Sequence, residues 1–206
     1  MKVFKNGLAT GLFLQLAVGP VFFFIANLTL QKTIFDGFAA VIGVALADYF
    51  YITLAVLGVG KLLEKEKIKK AFGIISSIIL VLFGIFIIKN ITGESISNTV
   101  EINSISLFSS FISTFLLTIS SPLTIVIFTS VFASKVIEYN YNKRELLTFG
   151  ISTGLATLLF MGVSVVFFSL VKQTIPIALI QTLNIIVGCL LIGYGAMRLV
   201  KSLRAK

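Results

Sequence analysis

One carboxylate stands near the centre of an apolar run: Asp48, in GVALADYFYITL, within residues 36–60. An acid in hydrocarbon costs about 2.5–3.5 kcal/mol on insertion scales, so it faces a bundle interior or a water-filled cavity. There it either holds a cation, meaning a substrate ammonium group or a coupling proton, or accepts a structural hydrogen bond from a neighbouring tyrosine or threonine. Two prolines stand in comparable surroundings, Pro20 in GLFLQLAVGPVFFFIANLTL and Pro122 in SLFSSFISTFLLTISSPLTIVIFTSVFA. Each removes a backbone donor and should free the carbonyl four residues earlier, on Leu16 and Thr118, while disfavouring helical geometry at Gly19 and Ser121. Freed backbone groups in a membrane must find partners or line a cavity. With Gln15, Asn27, Thr118, Ser120, Ser121 and Thr124 close by, the prolines read as helix breaks around a site. Half-helices starting there would turn the amides of Val21, Phe22, Leu123 and Thr124 towards an anion, while the freed carbonyls and Asp48 would meet a cation. Such a site suits a small zwitterion. The candidate substrate- or ion-binding residues are Asp48, Gln15, Gly19, Pro20, Asn27, Thr118, Ser121 and Pro122.

The elements that must hold them are membrane helices. The chain is 57% hydrophobic and 12% charged, with mean hydropathy +1.07, well above the ~45–50% apolar content of an ordinary soluble domain. Six runs reach the ~20 residues needed to cross a bilayer, at 7–30, 36–60, 71–89, 106–133, 146–171 and 177–198. Their continuity excludes barrel strands, which are short and alternate apolar with polar residues. Lys2 and Lys5 before an apolar run imitate a secretion signal, but Pro20 would follow the supposed cut and the run continues to Leu30, so the first span is expected to stay.

The six runs fall into two triplets with shared marks. Pro20 and Pro122 break the first members. Gly43 and Ala47 in the second run match Gly150 and Gly154 in the fifth, and Gly84 with Lys89 matches Gly193 with Arg198. An odd number of spans per half places the halves upside down relative to each other, an arrangement common in secondary transporters. The expected fold is therefore an all-α integral membrane protein of six transmembrane helices in a 3+3 inverted repeat. Helices 1 and 4 are broken at mid-membrane prolines. Residues 1–206 form a single membrane domain, with a first repeat at 1–91, an external linker at 92–105 and a second repeat at 106–206.

Charge sets the orientation. Fourteen bases fall at the termini and in the loops after spans 2 and 4, against three (Lys32, Lys89 and Lys172) on the other side. The positive-inside rule then puts both termini in the cytoplasm, in the cytoplasmic membrane of a prokaryote. The net charge of +9 follows from topology, so no nucleic-acid partner is invoked. KLLEKEKIKK, at 61–70, reads as a topogenic loop that also suits anionic headgroups of the bilayer.

Absent residue types remove several chemistries. The chain has no histidine and a single cysteine, which excludes a His-based metal site, a His proton relay and a two-thiol redox cycle within one chain. Cys189 reads as a small packing residue. No Gly-rich phosphate loop and no activated serine is visible, so neither enzyme activity nor a cofactor is expected. Asp48 is read as the one acid within the spans. The small residues at 43/47 and 150/154 allow close helix approach, within the bundle first, with a moving interface or a homo-oligomer contact as alternatives. Tyr49, Tyr51 and most phenylalanines read as packing or lipid-facing groups.

The stretches GLFLQLAVGPVFFF (11–24), GFAAVIGVALADYFYITLAVLGVG (37–60), SPLTIVIF (121–128) and IIVGCLLIGYGAMRL (185–199) together resemble the LysE/RhtB-type amino-acid exporters. The resemblance covers essentially the whole chain and implies export of amino acids or close relatives, driven by proton or ion gradients, from a six-helix inverted-repeat fold. The family's exporters of basic amino acids are similar to one another in a Gln-Asn pair after the first proline, where this chain has Val21 and Phe22, and the second proline is usually preceded by Asn, where Ser121 stands. The alternatives weighed against amino-acid export are a cation or metal exporter of a related superfamily and a non-transporting membrane scaffold.

Overall fold

A computed structural model describes residues 1–16, 19–57, 66–91 and 104–204. The described residues fold as helices: α1 (Lys2–Gln15), α2 (Pro20–Gln31), α3 (Ile34–Val56), α4 (Glu66–Ile91), α5 (Ser104–Ile119), α6 (Pro122–Tyr139), α7 (Lys143–Val171) and α8 (Ile177–Arg204). α3, α7 and most of α8 are long and apolar enough to cross a membrane, and the count rises to five if each of the bent pairs α1/α2 and α5/α6 is one span. α4 adds a shorter apolar stretch, Gly73–Lys89. The protein is an all-α, multi-pass membrane protein.

Proline determines where the bent pairs divide. α2 and α6 each begin at a proline, with Gly19 and Ser121 as extended N-cap residues. Proline is well placed there, because its missing N–H is one that the first helical turn leaves unpaired in any case. The two pairs bend by 79° and 64°. Two boundaries differ from expectation: residues 66–70, read as part of a basic loop, open α4, and Ser104 and Ile105, read as the end of the linker, open α5. The rest of the loop, 61–65, and of the linker, 92–103, lies outside the described residues.

Beside its apolar core residues the bundle interior buries many hydroxyls, while large apolar side chains face outward. Ser76, Ser77, Thr114 and Ser152 are fully buried, whereas Phe13, Val163 and Leu170 are at least 70% exposed. Lipid tails are as apolar as leucine, so helices gain little by hiding leucine from them; small residues gain more, because they let backbones approach. The hydroxyls are satisfied within their own helices, as where Ser77 Oγ donates to the Gly73 carbonyl at 2.6 Å. Cys189, read as a packing residue, is exposed on α8.

The principal contacts come in related pairs. α1 lies on α7, and α5 lies on α3; α3 also packs on α7, and α4 on α8. At the first contact a Cβ on Gly7 would stand 1.9 Å from Ser152 Oγ, and Thr153 Oγ1 donates to the Gly7 carbonyl at 3.2 Å. At the second, a Cβ on Gly43 would stand 2.4 Å from the Phe111 carbonyl, and Thr114 Oγ1 donates to the Ala40 carbonyl at 2.9 Å. In each contact glycine admits the neighbouring backbone and a threonine hydroxyl crosses the interface.

α3 and α7 both open with a capping box, Thr33 with Asp36 and Asn142 with Glu145. Counted from these caps, Asp48 and Thr157 occupy the same helical position, and Gly43 falls opposite Ser152. This alignment lies two residues from the one in which Gly43 and Ala47 match Gly150 and Gly154. Small residues recur too often in these helices to fix an alignment, whereas a cap marks one position. Gly150 and Gly154 receive Ile52 and the Tyr49 ring from α3, so this face packs within the bundle. Gly193, matched in sequence to Gly84, meets nothing within 4 Å; Gly84 packs instead against Gly188 and Ile192.

Candidate functional site

A cavity of about 450 Å³ lies where both helix breaks face α3 and α8. Six of the eight candidate residues line it: Gln15, Gly19, Pro20, Asp48, Thr118 and Ser121. Pro122 is the first residue of α6, and its side chain lies outside the described set. Asn27 does not join this group. It lines a second, smaller cavity near the end of α2.

Asp48 is 4% exposed and lines the cavity from α3. Thr157 Oγ1 donates to Asp48 Oδ2 at 2.8 Å, and Gln15 Nε2 donates to Thr157 Oγ1 at 2.7 Å. This chain ties the end of α1 to α7 and α3, orienting one carboxylate oxygen. Asp48 therefore has both the threonine hydrogen bond and a place on the cavity wall.

The helix breaks are closed more tightly than proline chemistry alone suggests. The Thr118 carbonyl, expected to be free, accepts from the Ser121 amide at 3.0 Å, and the Phe22 and Thr124 amides donate to the Gly19 and Ser121 carbonyls at 3.0 and 3.2 Å. Neither N-cap residue contributes a side-chain cap, so the amides of Val21 and Leu123 keep the first-turn position that intrahelical bonding leaves open. Residues 17 and 18, after Leu16, lie outside the described set.

Three side chains in and around the site escaped the sequence reading. Tyr51, read as packing or lipid-facing, is 2% exposed, and its hydroxyl donates to the Ile119 carbonyl at the end of α5. It thereby caps a carbonyl exposed by the second break. Its signal was its place three residues after Asp48, on the same helical face. Arg198, counted among the cytoplasmic bases, lines the same cavity as Asp48, together with Tyr194 one turn earlier. Among the described residues no ion pair joins Arg198 to Asp48.

The third is Asp36, a second buried acid, 2% exposed, in the first turn of α3. It accepts from Thr33 Oγ1 at 2.6 Å and from Ser106 and Ser110 Oγ at 2.8 Å each, which fastens the α2–α3 turn to α5. Asp48 is thus not alone. Nearby, Lys172 Nζ donates to the Lys32 carbonyl; burial draws the Lys172 ammonium below its ordinary range, and the Asp36 carboxylate opposes that shift.

If the breaks serve the cavity, restoring helix across them should disable it. The double variant Pro20→Ala, Pro122→Ala regains two backbone donors and releases Gly19 and Ser121 from their extended geometry. It should insert at near-parental abundance while transport falls about tenfold or more, a loss of ~1.4 kcal/mol or more. Full transport by this variant, measured against protein level in membranes, would reduce the prolines to incidental kinks.

Comparison with families of known proteins gives one finding: a family profile described as LysE type translocator matches residues 12–202. Searches among curated proteins and among solved structures found no match.

Proposed function

Because the chain belongs to the LysE type translocator family, and so is a transporter of the metabolite-exporter kind, we propose that it exports amino acids or closely related small zwitterionic metabolites from the cytoplasm by proton or ion antiport. The observation that carries this reading is the pair of opposite charges, Asp48 and Arg198, on one cavity with no ion pair between them. Two unlike charges sharing a space partly shielded from water attract each other strongly. Holding them on separate walls suits a solute that brings an ammonium group to one and a carboxylate to the other. The volume of about 450 Å³ lies within the ~300–1,000 Å³ range of small-molecule sites.

The Val21 and Leu123 amides would add two donors on the carboxylate side, at helix N-termini that favour negative charge. On the ammonium side, Gln15 and Thr157 hold Asp48 in place. With α4 as the third of six spans, the related contacts α1 on α7 and α5 on α3 support a 3+3 inverted repeat. The excess of bases near the termini and in the loops after spans 2 and 4 supports cytoplasmic ends. In that orientation Arg198 stands towards the cytoplasm and Asp36 towards the exterior.

The test is accumulation in inside-out membrane vesicles, offered single labelled amino acids with and without an imposed proton gradient. Gradient-dependent uptake of at least one amino acid, absent from vesicles lacking the protein, is expected. No uptake across the full set would overturn the proposal; metal resistance in the same cells would then favour a cation exporter, and its absence a scaffold.

A further inference from the structure

The second cavity lies towards the other end of α2, some 80 Å³ in volume, lined by Asn27, Gln31, Lys32, Ser109, Ser110 and Ser113 among others. Asn27 is 6% exposed, and its Nδ2 is buried without a hydrogen-bond partner. The orientation of this amide is set by Gln31, whose Nε2 donates to Asn27 Oδ1 and also to Asn184 Oδ1, the latter at 2.7 Å. Asn27 thus has its acceptor engaged and its donors open, beside a polar space. A buried amide left in that state bears the full desolvation penalty of the group unless something fills the space.

The missing partner must be an acceptor, because N–H groups do not ligate cations. Lys32, on the rim, adds positive charge; its Nζ donates to Ser106 Oγ at 3.1 Å. Asp36 is the nearby negative charge. Its carboxylate is engaged by the hydroxyls of Thr33, Ser106 and Ser110, and it is not among the residues lining the cavity. A volume of about 80 Å³ is that of two or three waters at ~30 Å³ each, enough for a carboxylate or a halide and too small for a whole amino acid with its side chain.

We propose that this cavity is an anion subsite in which Asn27 Nδ2 and the Lys32 ammonium hold one carboxylate or halide, distinct from the Asp48 cavity. In the carboxylate case it receives that end of the exported compound on its way out, an assignment that rests on the transport reading; the anion site itself does not.

The probes are sodium acetate, the smallest stable carboxylate after formate, and sodium chloride, each against sodium isethionate at equal ionic strength. Thermal unfolding of the purified full-length protein in detergent reports binding, since a ligand of the folded state raises the midpoint. Parent protein should be stabilised by acetate or chloride beyond isethionate. In Asn27→Leu, which keeps the size and removes the amide, the concentration for half-maximal stabilisation should rise about tenfold or more. Lys32→Gln, an exposed substitution, should shift it in the same direction and supplies the answer if Asn27→Leu does not fold. In Arg198→Gln, which weakens carboxylate binding in the larger cavity, the stabilisation that remains should still depend on Asn27 and Lys32, which separates this subsite from that cavity. Stabilisation by acetate with little from chloride supports the carboxylate; stronger stabilisation by chloride supports a free halide. No stabilisation of the parent by either salt, an unchanged midpoint concentration in the variants that fold, or loss of the effect in Arg198→Gln alone would overturn the proposal.

Discussion

An Asp48→Asn variant should reach the membrane at close to parental abundance and lose roughly 10- to 150-fold in transport rate, the span that corresponds to about 1.5–3 kcal/mol for a hydrogen bond to a charged group. Asparagine keeps the size of the side chain, and its oxygen still accepts from Thr157, whose hydroxyl lies 2.8 Å from Asp48 Oδ2. What disappears is the charge and the ability to take up a proton. Asp48→Glu retains both and moves the carboxyl outward by one methylene, so it should recover part of the rate. Since Asp48 is the one acid among the described residues of the cavity wall, pH dependence that arises from its titration should be present in the parent and absent from the residual activity of Asp48→Asn. Parental transport by a well-expressed Asp48→Asn would leave the acid with only its bond to Thr157. Loss of folded protein in Asp48→Asn, with normal folding of Asp48→Glu, would point to the same structural role.

The parts of this protein legible in its sequence are those where a residue type has few physical options. A continuous apolar run has to cross a membrane, a proline inside it has to break the helix, and an acid in it has to face the interior. Hence Pro20, Pro122 and Asp48 announced themselves, and α2 and α6 begin at the two prolines. Residues with several ordinary roles did not. Arg198 near the end of a span looks like any topogenic base, since long basic side chains reach the interface from inside a membrane; only the packing of α8 beside the breaks brings it to the cavity. Asp36 is half-legible: Thr33 three residues earlier announces a helix cap, but the Ser106 and Ser110 hydroxyls that bury it come from α5, across a sequence gap that no local pattern bridges. Asn27 was grouped with the first break because it is close in the chain. It lies two helical turns beyond Pro20, so it belongs to a different cavity. The capping boxes of α3 and α7 suggest a second register between these helices, two residues from the one that their small residues suggest.

The second large effect should come from Arg198, and it can be told apart from mere loss of structure by changing the solute along with the protein. A guanidinium binds a carboxylate through two parallel N–H donors, which an ammonium cannot reproduce. Arg198→Gln should therefore raise the concentration for half-maximal transport roughly 10- to 150-fold, on the same 1.5–3 kcal/mol scale, with Arg198→Lys between that and the parent. An amino acid and its primary amide differ in the carboxylate and little else. If Arg198 meets the carboxylate, the parent should prefer the acid strongly, whereas Arg198→Gln should transport the two with similar efficiency, having lost its grip on the acid alone. Asp48→Asn should behave in the complementary way, weakening both compounds together because both keep the ammonium group. This crossing pattern does not follow if Arg198 only supports the bundle, since a general defect would lower acid and amide by the same factor. An equal fall for acid and amide in Arg198→Gln, measured in vesicles at matched protein levels, would remove Arg198 from the site, and with it the pair of opposite charges on which a zwitterionic solute was inferred.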